Sequence, residues 1–570
     1  MAEEVWMLQT KKADFKQIGA RFRIDPVTAR IIRNRGIEGE AAIDRYLNGT
    51  LDDLYDPMLL KDMERAVSIL CEAVDTGKKI RIVGDYDIDG VCSTYILLQA
   101  FERLGSDVDF EIPDRIKDGY GINESIIEQA HADGVEVILT CDNGISAFHQ
   151  VELAKKYGMT VVITDHHEVP LDGEKEKIPP ADAVIDPKQA DCPYPFPEIC
   201  GAVVAYKLVQ VLYARRGVPQ MEWLDLLEFA AIATVGDVMK LQDENRILVK
   251  YGLKKMAQTK NLGLRRLVEK NNLDLGAITA YHIGFVIGPC LNAGGRLKTA
   301  KEALALLRAQ SEEEAERLAE ELKELNDTRK DMTEQGTEAA KLQVESWYQK
   351  DKVLVVFLPE CHESLAGIIA GRLREYYQKP AIVLTRGEEA VKGSGRSIDE
   401  YHMFKKLTEV SDLLLKFGGH PLAAGLSLEE KNIDEFRRRL NENAGLTEED
   451  FKAKVWIDVP MPVGYVTERL VRELSCLEPF GQGNEKPLFA EKSLRIRASR
   501  VLGRNRNVVK MTLEETDGHA IEALYFGDGT AFEEERAGRR EIDVVYYPDI
   551  NEYNGRKTLQ AVIRRYKFRG

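Results

Sequence analysis

The chain has 570 residues, well past the size at which one hydrophobic core keeps growing, so about three or four domains are expected. Its 44% hydrophobic and 31% charged residues exclude global disorder, no apolar run is long enough for a membrane helix, and eight scattered cysteines without a C-x-x-C pair exclude a disulfide framework or a zinc ribbon. A net charge of −16 and a pI near 5.3 speak mildly against nucleic acid, although a basic channel can sit on an acidic body.

The N-terminus, MAEEVWMLQTKK, lacks the basic-then-apolar order of a signal peptide, and a cytoplasmic location is expected. Residues 1–75 read as an N-terminal segment of short helices and loops. From Lys79 onward, short apolar strands (KKIRIV, VDFEIP, VEVILT, MTVVIT and AVID) alternate with helices, which predicts an α/β domain over 76–240 built on a parallel sheet. Residues 241–350 read as a helical linker ending in a long charged helix that opens on a Ser-x-x-Glu cap at Ser311. Strand–helix alternation resumes over 351–445 as a smaller α/β unit. Five β-rich segments over 455–570 then predict a small barrel, with the OB-fold as the natural candidate. Removal of everything after about residue 450 is therefore expected to leave two intact lobes.

The chemistry is concentrated at strand ends. IRIV runs into Asp85-Tyr86-Asp87-Ile88-Asp89, VILT into Cys141-Asp142-Asn143, and VVIT into Asp165-His166-His167, while Asp237 follows the apolar helix FAAIATVG. Singly, each is an ordinary turn aspartate. Together they put carboxylates and imidazoles on the rim where open α/β sheets bind ligands, and such crowding needs cations. Oxygen and imidazole ligands suit Mn²⁺ or Mg²⁺, and about six of them suit two ions, a device for attack at phosphorus.

In order and content these motifs resemble the DHH phosphoesterase superfamily, in particular its single-strand-specific exonucleases. The match extends through Asp118-Gly119-Tyr120-Gly121, Leu291-Asn292-Ala293-Gly294-Gly295-Arg296, Phe417-Gly418-Gly419-His420 and Pro479-Phe480-Gly481-Gln482-Gly483-Asn484. The resemblance implies a DHH catalytic domain, a DHHA1-type substrate domain and an OB-fold barrel. It implies metal-dependent 5′-to-3′ hydrolysis of single-stranded DNA to 5′-mononucleotides in repair and recombination. Asp87, Asp89, Asp142, His166 and Asp237 would hold the metal, with Asp142 bridging. His167 would meet the scissile phosphate or support a ligand, making Asp142, His166 and His167 the catalytic set. Where related pyrophosphatases carry a further histidine this chain has Val83, and Asp85 is expected to act as a ligand instead. A single-stranded-DNA-binding protein and a helicase are the implied partners, with no membrane.

For the 5′ end, the Gly393–Ser397 stretch, read as a loop, offers Ser394 and Arg396 to a terminal phosphate, joined by Gly419 and His420. Arg115 and Arg296, placed in glycine-containing loops, would line the channel. In the barrel, basic residues from Arg495 to Arg569 interleave with Tyr525, Phe526, Tyr546, Tyr547 and Tyr553, as in a single-strand groove. Two alternatives stand beside this reading. One is a phosphodiesterase for short oligonucleotides or cyclic dinucleotides, which would not need the barrel. The other is a non-catalytic DNA scaffold, which would be expected to have lost its aspartates.

Overall fold

Five short strands build the first sheet, all but the edge strand at Val108 apolar enough to be buried on both faces. Ordered across the sheet by first residue they are Val108, Ile80, Val137, Thr160 and Ala183, all parallel. On one face Val83, Ile138, Val161 and Ile163 pack with Ile126, Ile127, Val151 and Ala154 of helices Glu124–Ala132 and Phe148–Lys156. The other face carries helices Ile88–Arg103 and Gly201–Arg216. The chain leaves Ile80–Val83 toward one edge and returns on its other side at Val137–Cys141. The crevice beyond a sheet's carboxyl ends opens at such a reversal.

The computed structural model describes residues 4–553 and 555–569, with the Tyr553 side chain outside the description. These residues fall into two units. The first comprises 54–239 and 247–453; the second comprises 4–53, 240–246 and 454–570.

Within the first unit, helix Glu312–Gln343 starts at Ser311, whose side chain accepts from the Glu314 amide (3.2 Å). It is not a bare rod: Ala315, Leu318, Ala319 and Leu322 are buried, and it packs on helices Leu262–Lys270 and Gly288–Leu297. The second sheet follows, ordered by first residue Leu414, Ala423, Val391, Ala381 and Leu354, with a single parallel pair at Leu354 and Ala381. The Gly393–Arg396 stretch is thus part of a strand, Val391–Arg396, and not a loop. Three small residues flanking Arg396 are compatible with a strand when both neighbouring strands pair with it, as here.

In the second unit, strands Phe489–Leu502, Val508–Glu514, Ala520–Phe526, Glu541–Tyr553 and Arg556–Arg569 are joined by a short sixth, Val459–Pro460, and the pairing of Phe489–Leu502 with Glu541–Tyr553 closes the barrel. The N-terminal segment is not separate. Glu4–Leu8 is a strand paired with Ala453–Ile457, and Ile31, Ile32, Ile43 and Tyr46 enter the same core as Phe489, Val509, Phe532 and Ile542. A cut at residue 450 would strip these helices of their core, so the barrel cannot be removed cleanly by C-terminal truncation.

Arg246 pins this unit together. Its guanidinium, 2% exposed, donates to the carbonyls of Tyr46 (3.1 Å), Cys476 (2.8 Å) and Leu477 (2.8 Å) and lies 4.0 Å from the Tyr46 ring centroid. Arg246→Met takes this donor from the carbonyls of Tyr46 and Cys476, while the Leu477 carbonyl keeps the Asn484 amide (2.8 Å) and the Tyr46 hydroxyl (3.3 Å), and a loss of about 3 kcal/mol is expected. Denaturant unfolding measures it, and a loss below about 1 kcal/mol would mean that water replaces the guanidinium.

Candidate metal centre and phosphate cleft

The strand ends deliver their acids as the topology requires. Asp87 caps helix Ile88–Arg103, accepting from the amides of Asp89 (2.9 Å) and Gly90 (3.2 Å). Asp89, fully buried, accepts from the amides of Gly201 (2.6 Å) and Ala202 (2.7 Å) at the start of helix Gly201–Arg216. Asp142 follows its strand in a left-handed conformation, φ +61°. Asn143 ties the two central strand ends together, donating to the carbonyls of Val83 (3.0 Å) and Cys141 (2.9 Å).

His166 and His167 are aimed by Asp165. One carboxylate oxygen of Asp165 accepts from the His166 amide (2.7 Å) and bonds His167 Nδ1 (2.7 Å), while the other accepts from the Ile145 amide (2.9 Å). Burial works against a charge on His167, but the bond to Asp165 outweighs it and pushes the imidazole up to about 9. Burial pulls His166 the other way, favouring the neutral ring that a metal needs. His166 Nε2 lies 3.1 Å from Asp142 Oδ1, 3.5 Å from Asp89 Oδ2 and 3.8 Å from Asp237 Oδ2. The approach to Asp142 lacks hydrogen-bond alignment, so Asp142 Oδ1 is a buried oxygen without a donor, as is Asp85 Oδ2.

Three ligand groups, each spanning no more than 4.8 Å, overlap here: Asp85, Asp87 and Asp142; Asp142, His166 and His167; and Asp89, His166 and Asp237. Asp142 belongs to two of them. Burial first, and then neighbouring carboxylates, push Asp85 and Asp142 well up and Asp237 up to about 8. Orphaned buried oxygens and mutually repelling acids fit divalent cations.

Sequence reasoning left two positioning residues without a role. The Tyr120 hydroxyl donates to the Asp142 carbonyl (2.7 Å) and lies 3.1 Å from His167 Nε2; the Gly121 amide donates to Asp85 (3.3 Å). Asn143 is the other. Both lie inside motifs read for their glycines and acids, and their partners are fixed only by folding.

The expected substrate groups converge in part. Arg115 lies in a loop, 4.5 Å from the Tyr86 ring centroid. Arg296 is on helix Gly288–Leu297 rather than in a loop, because its glycines serve close helix packing: a Cβ at Gly295 would stand 2.4 Å from the Tyr86 carbonyl oxygen. Arg296 donates to the Ser364 carbonyl (2.9 Å), and burial, then Arg115 and Arg329, lower it to about 10. Arg396 donates to Ser394 Oγ (3.2 Å) and the Gly395 carbonyl (2.8 Å), and burial, then Arg374 and Arg115, lower it too. Among the described residues none of these three arginines is ion-paired with a carboxylate. His420 sits at an exposed hairpin turn, its amide bonded to the Ala423 carbonyl (2.8 Å). Gly419, at φ +145°, admits no Cβ because one would lie 2.4 Å from that carbonyl oxygen.

The barrel groove is sparser than its composition suggested. Tyr546 is core, bonded to the Met461 carbonyl (2.9 Å), and Tyr525 packs against Phe532 and Tyr566. Arg497, Lys510 and Arg569 are paired with Glu514, Glu522 and Asp543. Phe526, 61% exposed, faces water.

Comparison with known proteins accounts for all three domains. The family profiles described as "DHH family, N-terminal domain", "DHHA1 domain" and "RecJ OB domain" match residues 79–234, 350–445 and 457–565. The single-stranded-DNA-specific exonuclease RecJ of Bacillus subtilis is 36% identical over 564 residues, 98% of this chain and 70% of that protein. That of Escherichia coli is 34% identical over 563 residues, 95% of each. The crystal structure of Thermus thermophilus RecJ in complex with Mn²⁺ superposes with a TM-score of 0.84 at 28% identity, covering 99% of this chain and 80% of that one; the complex with Mg²⁺ gives 0.78 at 27%, covering 99% and 78%. At these identities and coverages, the chain belongs to the RecJ family of single-stranded-DNA-specific exonucleases.

Proposed function

We propose that this chain is a metal-dependent 5′-to-3′ exonuclease that degrades single-stranded DNA to 5′-mononucleotides in DNA repair and recombination. The observation that carries the reading is the overlap of ligand groups at Asp142 in the switch-point crevice, an arrangement for two ions, Mn²⁺ or Mg²⁺. Asp85, Asp87, Asp89, Asp142, His166 and Asp237 would hold them. When bound, such ions activate water and neutralise the charge that develops on phosphorus. The chain's own part is to fix the ligands and orient the phosphate. Asp165 holds both histidines in place, leaving His167 to meet the scissile phosphate or to support a ligand. Tyr120 anchors the backbone of Asp142. Digestion of 5′-labelled single-stranded DNA across an Mn²⁺ titration tests this; full activity in EDTA, or a ladder of shortened strands that keep the 5′ label in place of its early release as mononucleotide, would overturn it.

Polarity belongs to the arginine side of the cleft. Arg396, Ser394, Arg296 and Arg115, with Gly419 and His420, are the groups proposed to take the terminal phosphate, since unpaired and partly buried guanidiniums demand an anion. Arg396→Ala is expected to lower the rate on 5′-phosphorylated ends by about 10- to 100-fold while scarcely changing the rate on 5′-hydroxyl ends, given that a charge-assisted bond contributes about 1.5–3 kcal/mol. An unchanged ratio between the two ends would make Arg396 a strand residue only. A cytoplasmic location, supported by eight scattered cysteines without a C-x-x-C pair, and partnership with a single-stranded-DNA-binding protein and a helicase belong to the same reading. Among the described residues no helix is long and apolar enough to cross a membrane.

A further inference from the structure

Tyr281 and Phe285 are 63% and 67% exposed, yet their rings stack on each other, with centroids 4.8 Å apart and planes 29° from parallel. Two aromatic faces turned to water mark a contact surface more often than a stabilising one. They straddle the start of a π-helical stretch, Ile283–Ile287, that runs straight into helix Gly288–Leu297; such π-turns are rare and are frequent at functional sites.

The same helical rod packs against the two helices that adjoin Asp237 and Asp87. A Cβ at Gly284 would touch Val235 (3.7 Å), two residues before Asp237, and one at Gly288 would lie 3.2 Å from Ile88, next to Asp87. At its far end stands Arg296, roughly 16 Å along the axis from Phe285. The rod therefore carries a ring platform at one end and a phosphate-seeking guanidinium at the other, with the metal ligands alongside. Val238, directly after Asp237, adds a 65% exposed apolar side chain held at φ +58°, a conformation uncommon for a β-branched residue.

We propose that Tyr281 and Phe285 form a base-stacking platform that holds an unpaired nucleobase of the strand lying in the metal cleft. The inference rests on the nuclease reading above and deepens it. A stacked ring accepts any base by its face, and in a duplex that face is covered.

The test uses the full chain, Tyr281→Ala/Phe285→Ala, and two 5′-phosphorylated single strands, one of ordinary sequence and one with a tract of abasic residues. The unaltered protein should show a KM about 10-fold higher on the abasic strand, and the variant should show that raised KM on both strands, with kcat less affected. Phe285→Trp should retain the discrimination. A variant that still discriminates, or an unaltered protein that treats both strands alike, overturns the platform. An unaltered protein that degrades neither strand overturns the nuclease reading instead. Unchanged Mn²⁺ affinity in the variant separates either result from damage to the ligand loops.

Discussion

Asp142→Ala is expected to lower hydrolysis of single-stranded DNA by about 10³-fold or more while binding of the strand is largely retained. Asp142 contributes to two of the overlapping ligand groups, so its loss opens both at once, removing several kcal/mol of charge stabilisation at phosphorus, with each 1.4 kcal/mol counting tenfold. The guanidiniums proposed to grip the strand belong to other elements and remain. Removing one of several buried, repelling acids also relieves repulsion, so the metal-free variant should unfold at the same or a slightly higher temperature than the metal-free parent. Rates on labelled oligonucleotide, Mn²⁺ affinity by calorimetry and metal-free melting check the three parts. Retention of both rate and Mn²⁺ affinity would remove Asp142 from the centre.

Gly201→Ala should be nearly as damaging to turnover, though it alters no acid. A Cβ at Gly201 would stand 2.7 Å from Asp142 Cβ and 2.9 Å from its Cα and Oδ1, while the Gly201 amide is already committed to Asp89 (2.6 Å). The methyl therefore pushes directly on Asp142, the acid proposed to be shared between the ions. Overpacking against the Asp142 backbone costs about 1–3 kcal/mol, of which alanine's better helix propensity returns at most about 1 kcal/mol, so a modest loss of stability accompanies the fall in catalysis. A displacement of a few tenths of an ångström to one ångström in a preorganised site costs up to about 10²-fold. The expected variant melts within a few degrees of the parent but turns over about 10²-fold more slowly and binds Mn²⁺ more weakly. An unchanged rate would mean that the backbone yields there at no cost.

The strand–helix alternation, the acids at the strand ends and the barrel strands were all legible, because each is carried by short-range pattern: buried parallel strands are apolar runs, and turns after them gather Asp, Asn and Gly. The legible errors have a common cause. Gly393–Arg396 reads as a loop because glycine and serine favour turns, yet pairing on both sides makes it a strand. Leu291–Arg296 reads as a loop for the same reason, yet its glycines are there to let a helix approach Tyr86. Barrel aromatics at alternate positions do not declare which face is inward, and Tyr546 proved to be core.

What the sequence determined by itself is the chemistry: which acids and imidazoles this protein owns, and the parallel sheet whose strand ends present them. What only the tertiary structure decided is the company they keep. Asp142 comes to stand in two candidate ligand groups because the strands ending at Val83 and Cys141 are neighbours at the reversal of strand order, and because helix Gly201–Arg216 starts on a residue small enough to touch it. The helices before residue 53 join a barrel core more than 400 positions away, with the Arg35 side chain reaching the Glu485 carbonyl (2.6 Å) and the Tyr46 hydroxyl reaching Asn484 (2.8 Å). An amphipathic pattern states that an apolar face must be buried, but burial is non-directional, so the pattern cannot name the surface that buries it.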